Sequence, residues 1–160
     1  MDYKETLHMP VTDFEMRGNL PTKEPKILKQ WQDNNYYQNI LKHHEGEPSF
    51  VLHDGPPYAN GNLHAGTAMN RSIKDFIVRS HAMAGYYTPF FPGWDTHGLP
   101  TENAIQKQGV DRKKLTSAQF REKCDEFVHT QIATQMATEK RLGQIADYDH
   151  PYITLNKEFE

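Results

Sequence analysis

The chain has 160 residues, a formal net charge of −3 and a pI near 6.3; this is enough for one domain or part of a larger one, and it excludes a global basic footprint, so any RNA contact must be local. A single cysteine, Cys124, excludes an internal disulfide or a multi-cysteine zinc site and suits a reducing cytoplasm. No basic start leads into an apolar run and no apolar stretch of about 18 residues occurs, so the expectation is a cytoplasmic chain with no membrane contact.

In chain order, residues 1–25 show little periodicity and are punctuated by Pro10, Gly18, Pro21 and Pro25, the pattern of an extended arm with turns lying on a larger body. A mean hydropathy of −0.83 likewise suggests that part of the chain packs against something else. Between about Pro25 and His44 the spacing of Ile27, Leu28, Trp31, Tyr36, Ile40 and Leu41 predicts a helix with Pro25 in its first turn. His43, His44, Glu45, Gly46 and Pro48 end it. Arm and helix make a first unit, residues 1–48, and residues 49–160 make a second.

Ser49-Phe50-Val51-Leu52-His53 is a β-prone run, expected as a buried parallel strand, and Asp54-Gly55-Pro56-Pro57 stops it. A turn-rich segment follows, then a helix from Ala68 to Met83 marked by Met69, Ile73, Phe76, Ile77 and Met83. Gly85 breaks that helix, and Tyr86-Tyr87-Thr88-Pro89-Phe90-Phe91 reads as the second strand of a right-handed βαβ unit. Residues 92–102, PGWDTHGLPTE, form a second loop at the carboxyl end of that strand, where open α/β sheets place ligands. The two loops are expected to meet at one crevice. From Asp111 a charged helix, capped by Thr116 or Ser117, carries the stripe Leu115, Phe120, Cys124, Phe127, Val128, Ile132, Met136 and Leu142. The tail from Asp147 adds a polar turn and Tyr152-Ile153-Thr154-Leu155. The fold class is therefore α/β, with parallel strands and crossover helices.

The first loop, His53 to Gly66, combines prolines that fix φ with glycines that let a ligand approach the main chain. A helix starting near Gly66 would turn its free N–H groups and positive dipole end toward the loop, which favours a phosphate there with His64 beside it. Walker, Gly-x-Gly-x-x-Gly and serine nucleophile-elbow sequences are all missing. Nine histidines raise a metal-hydrolase reading, but no helix carries two ligands in a His-Glu-x-x-His pattern, and no metal site is expected.

The stretch DGPPYANGNLHAG closely resembles the isoleucyl-tRNA synthetase version of the class I synthetase signature, which ends in His-x-Gly-His, and GWDTHGLPTE resembles that family's second block. The arm MDYKETLHMPVTDFEMRGNLP and the closing DYDHPYITLNKEFE are similar to it as well, so the resemblance covers essentially the whole chain and only the amino-terminal part of such an enzyme. It implies the first half of a Rossmann-like catalytic domain that uses ATP, with Mg²⁺ as the ATP complex, to convert isoleucine to isoleucyl-adenylate before transfer to tRNA(Ile). Gly55, Asn62, His64, Gly66 and Thr67 would then bind ATP, with His64 and Thr67 as catalytic donors. Pro56, Pro57, Gly93, Trp94 and Asp95 would bind the amino acid, Asp95 pairing with its α-ammonium group. His97 and Glu102 would support the second loop. Read without the resemblance, Trp94 fits a core residue, His97 a structural histidine and Glu102 a solvated cap.

Two positions depart from the family pattern. Thr67 stands where the second signature histidine belongs, and threonine can donate a hydrogen bond but cannot become cationic, so only part of the charge stabilisation is expected. Thr101 stands where the family usually has an apolar residue. The editing insertion, the Lys-Met-Ser-Lys-Ser loop, the anticodon-binding helices and the zinc module of the family are also missing from these residues, so most of the tRNA surface is not expected here and activity of this chain alone is not. The alternative is a non-catalytic paralogue that binds a nucleotide, an amino acid or a protein.

Overall fold

The computed structural model describes residues 3–8, 12–13 and 15–159; Pro10 of the arm lies outside the described residues. A 3-10 turn at Tyr3–Thr6 precedes the first helix, α1 (Leu20–Asp33), which starts earlier than the apolar spacing indicates. Pro21 occupies its opening positions, where no N–H is required, so Pro25 falls inside the helix rather than in its first turn. The expected single helix is also two. Asn34 ends α1, Asn35 adopts φ 48°, and α2 (Tyr36–His43) begins. Asparagine tolerates this left-handed conformation better than most residues, and Asn34 Nδ2 donates to Gln30 O at 2.8 Å, closing the end of α1.

The strand regions are parallel but far shorter than their sequence runs. Ser49 pairs with Tyr87 and Tyr58 with Asp95 as isolated parallel bridges. The regular strands are β1 (Gly93–Trp94) and β2 (Tyr152–Ile153), paired in parallel with Gly93 opposite Tyr152. The run at 49–53 is therefore not the buried strand expected: only its first residue pairs, and Val51 is 65% exposed. Pro89, which has no N–H, interrupts the second run in the same way. Three extended segments nevertheless lie side by side in one direction. Helix α3 (Ala65–Met83) links the first to the second. Helices α4 (Leu99–Lys107) and α5 (Ser117–Leu142) link the second to the third.

Helix α5 forms where its stripe indicates, and Thr116 caps it with a reciprocal Gln119 capping box. Its Val128 and Ile132 join Ala59 and Trp94 in one buried cluster, while Val78, Phe90 and Ala146 make a second. Helix α4, by contrast, starts within the expected second loop, after Gly98 at φ 86°. The apolar residues that marked α3 do not form its inner face: Met69, Ile73, Phe76 and Met83 are exposed, and Arg71, Asp75, Val78 and Ala82 are buried instead.

Candidate functional site

The first loop is anchored at its root by charge. Asp54 is buried, and its carboxylate accepts hydrogen bonds from Arg71 Nη1, from Lys74 Nζ at 2.6 Å and from Gly93 N at 2.8 Å. Arg71, one turn and a half into α3 and 1% exposed, also donates from Nη2 to Gly93 O at 2.9 Å. Its Nε lies 2.9 Å from Glu139 Oε1 on α5. One guanidinium thus joins the root of the first loop, the start of the second and the long helix. Burial pushes the Glu139 carboxyl up to about 7, opposed by Arg71 and reinforced by the Asp54 charge.

From that root the chain runs alongside the second loop. Asp95 N donates to Pro57 O at 2.8 Å and Ala59 N donates to Asp95 O at 2.9 Å. Gly93 must be glycine here, because a Cβ would come within 2.9 Å of the Tyr152 ring and 3.2 Å of Pro56 Cβ. Pro56, Pro57, Gly93, Trp94 and Asp95 are therefore brought together. Trp94 is fully buried, so its ring serves the core, in keeping with its alternative reading. Asp95 is half-buried, and its Oδ1 accepts from His97 N at 3.3 Å.

The tip of the loop ends at His64, the N-cap of α3, so the helix starts at Ala65, a residue before Gly66. His64 Nδ1 accepts from Thr67 N at 3.2 Å, and its Nε2 lies 3.1 Å from Thr67 Oγ1. A backbone N–H can only donate, so His64 Nδ1 is the acceptor that caps α3. Gly66 makes this fold-back possible: a Cβ there would meet the His64 ring at 3.0 Å. The N–H groups at the start of α3, the exposed His64 and the hydroxyl of Thr67 together suit an anion. Gly55 and Asn62 are both exposed on the same loop.

His97 and Glu102 belong to a different place. His97 Nε2 lies 3.1 Å from Thr154 O in the tail. Glu102 on α4 faces Arg112 at 3.9 Å, and both His97 and Glu102 line a cleft of about 560 Å³ between α4 and α5 that includes no residue of the first loop. Thr101 is buried and satisfies its hydroxyl on Thr96 O at 3.2 Å, so the polar residue at this position is accommodated. Among the described residues no group of three or more His, Cys, Asp or Glu could hold a metal ion. No helix of the described residues is long and apolar enough to cross a membrane.

Sequence reasoning missed Asp54, Arg71, Gln135 and Glu139. The signal was present in the helices. Arg71 and Asp75 continue the buried face of Val78 and Ala82, and Gln135 and Glu139 continue that of Val128 and Ile132, at spacings of three and four. A polar residue on an inward face needs a partner: Arg71 and Gln135 find theirs on the two loops, Asp75 at Ile145 N and Arg79, and Glu139 at Arg71.

The family model for tRNA synthetases class I (I, L, M and V) matches residues 26–160. The chain is 59% identical over 160 residues to the isoleucine–tRNA ligases of Staphylococcus saprophyticus and Staphylococcus haemolyticus, and 58% identical to that of Staphylococcus aureus. All of this chain is covered, but it spans only 18% of the first two relatives and 17% of the third. Among solved structures, the LeuRS of Agrobacterium radiobacter in a ternary LeuRS–tRNA–LeuAMS complex is similar at a TM-score of 0.70 and 21% identity, over 89% of this chain and 16% of that one.

Proposed function

From the premise that the chain belongs to the class I tRNA synthetase family, we propose that it supplies half of an isoleucine-activating site, in a protein that then transfers the isoleucyl group to tRNA(Ile). The observation that carries this reading is the pairing of the Pro57–Ala59 segment with Asp95, in a loop whose other end is the N-terminus of α3. Groups complementary to an amino acid and to a nucleotide phosphate thus lie on two loops joined through the Tyr58–Asp95 bridge.

In this reading the Asp95 carboxylate holds the α-ammonium group of isoleucine, and Pro56 and Pro57 offer an apolar wall to its side chain. The α-carboxylate attacks the α-phosphorus of ATP, the bond to the β,γ-diphosphate breaks, and pyrophosphate leaves with its Mg²⁺. Negative charge grows on the α-phosphoryl oxygens, where the α3 N–H groups and the Thr67 hydroxyl are placed to donate. The remaining wall of the site and the tRNA surface belong to other parts of a longer protein, so the chain binds adenylate better than it forms it. Isothermal titration with ATP–Mg²⁺, with isoleucine and with a non-hydrolysable isoleucyl-adenylate analogue tests this. Saturable binding of the analogue supports the half-site; a folded chain that binds none of the three overturns it.

A second reading, a synthetase-like module that binds without catalysing, draws on Thr67, which stands where the signature it resembles carries a histidine. Analogue binding without any adenylate formation in a longer protein that contains this segment would favour it.

A further inference from the structure

Gln135 lies in the middle of α5, 2% exposed, and its whole amide is spent on the two loops. Its Oε1 accepts from Trp94 Nε1 at 3.0 Å, and its Nε2 donates to Tyr58 O at 3.1 Å and to Gly61 O at 2.6 Å. Tyr58 sits opposite Asp95 in the parallel bridge, and Gly61 begins the last approach to His64. An apolar side chain of the same length would fill the space, so packing alone does not call for an amide. It would leave the buried indole N–H of Trp94 without an acceptor and the partly buried carbonyls of Tyr58 and Gly61 without their donor.

We infer that Gln135 is a positioning residue which fixes the first loop at a set height over Trp94 and Asp95, so that the amino-acid end and the phosphate end of the site keep one geometry. This inference rests on the proposed isoleucine-activating site. Gln135 touches neither substrate; it acts through Tyr58, Gly61 and Trp94. The Arg71–Asp54 pair does the same at the loop's root, and the two braces meet at Trp94, over whose ring the Arg71 guanidinium lies at 5.8 Å.

Three variants separate positioning from packing. Gln135→Met removes every loop bond. Gln135→Glu keeps the acceptor for Trp94 Nε1 but loses both donors. Val78→Ala weakens the second core cluster, away from Gln135, and serves as the stability control. Hydrogen exchange by NMR is followed at the Ala59 and Asp95 amides and the Trp94 indole, with analogue affinity measured in parallel. In Gln135→Met all three probes exchange about ten-fold faster or more, and the analogue binds about ten-fold more weakly, while α3 and α5 amides change little. In Gln135→Glu the two amides accelerate and the indole stays protected. Unchanged loop exchange in both variants overturns the inference, as does an increase spread equally over α3 and α5 or matched by Val78→Ala. If Gln135→Met does not fold, Gln135→Glu decides alone. If the parent chain binds no analogue, the functional reading fails, and the exchange rates still decide whether Gln135 positions the loop.

Discussion

The root and the tip of the first loop live in opposite surroundings. Asp54 is 3% exposed and wrapped by Arg71, Lys74 and the Gly93 N–H, whereas Gly55, Asn62 and His64 face solvent. At the root, charge is desolvated and held by several partners at once, so removing one leaves the others stranded. At the tip, hydrogen bonds are short-range and renewable by water, and a group can leave its partner for a ligand at little cost. The contrast teaches where fold stability ends and ligand chemistry begins: the boundary falls inside a single loop, between Asp54 and His64.

The largest effect that tests this contrast is expected at the root. Asp54→Ala leaves the buried Arg71 with Glu139 as its one carboxylate partner and deprives the Gly93 N–H of its acceptor, and it should lower unfolding free energy by about 3–5 kcal/mol. Urea unfolding of this variant beside Asn62→Ala makes the comparison; equal losses in the two would erase the distinction. At the tip, Thr67→His should leave stability nearly unchanged yet lower the adenylation barrier, in a longer protein that contains this segment, by up to about 3–4 kcal/mol. Pyrophosphate exchange at saturating ATP reads that gain, and no gain there argues for the non-catalytic alternative.

Next in size comes the pH dependence of the root. Burial raises the folded-state pKa of Glu139 above its unfolded value of 4.5 to about 7, so the group favours the folded state below pH 4.5 and that contribution is lost as pH rises through 7. Glu139→Gln removes the loss. Relative to the variant, the parent should weaken by about 3 kcal/mol in all between the acid side and pH 8, measured as a difference in unfolding free energy at each pH. A constant difference across that range would mean that Glu139 titrates alike in the folded and the unfolded chain. The smallest effect lies outside the loop altogether: Thr116→Ala breaks the α5 capping box and should cost about 1 kcal/mol, read from the thermal transition.

Which half of this contrast the sequence discloses follows from how each is encoded. The tip is written locally. Glycines, prolines and His64 stand within a few residues of one another, and the resemblance of DGPPYANGNLHAG to a known signature lies wholly in that stretch. The α/β class was equally legible, since two β-prone runs flank a helical one. The root is written at long range: Asp54 meets Arg71 and Gly93, and Arg71 meets Glu139, only once α3 and α5 have packed beside the loops. Strand lengths were misjudged for a related reason. Ser49–His53 has strand propensity throughout, but pairing depends on what lies alongside, and only Ser49 finds a partner. The break at Asn34 and Asn35 hides inside an unbroken apolar spacing because asparagine's tolerance of positive φ leaves no periodic trace.

The central claim, that the two loops together take up the amino acid and the phosphate, is tested most directly by mapping a non-hydrolysable isoleucyl-adenylate analogue onto the amide NMR spectrum. The account predicts shifts concentrated at Gly55 to Asn62, Ala65 to Thr67 and Gly93 to Asp95, all lost in Asp95→Ala while that variant keeps its fold. Shifts confined to the cleft between α4 and α5, or binding undiminished by Asp95→Ala, would contradict it.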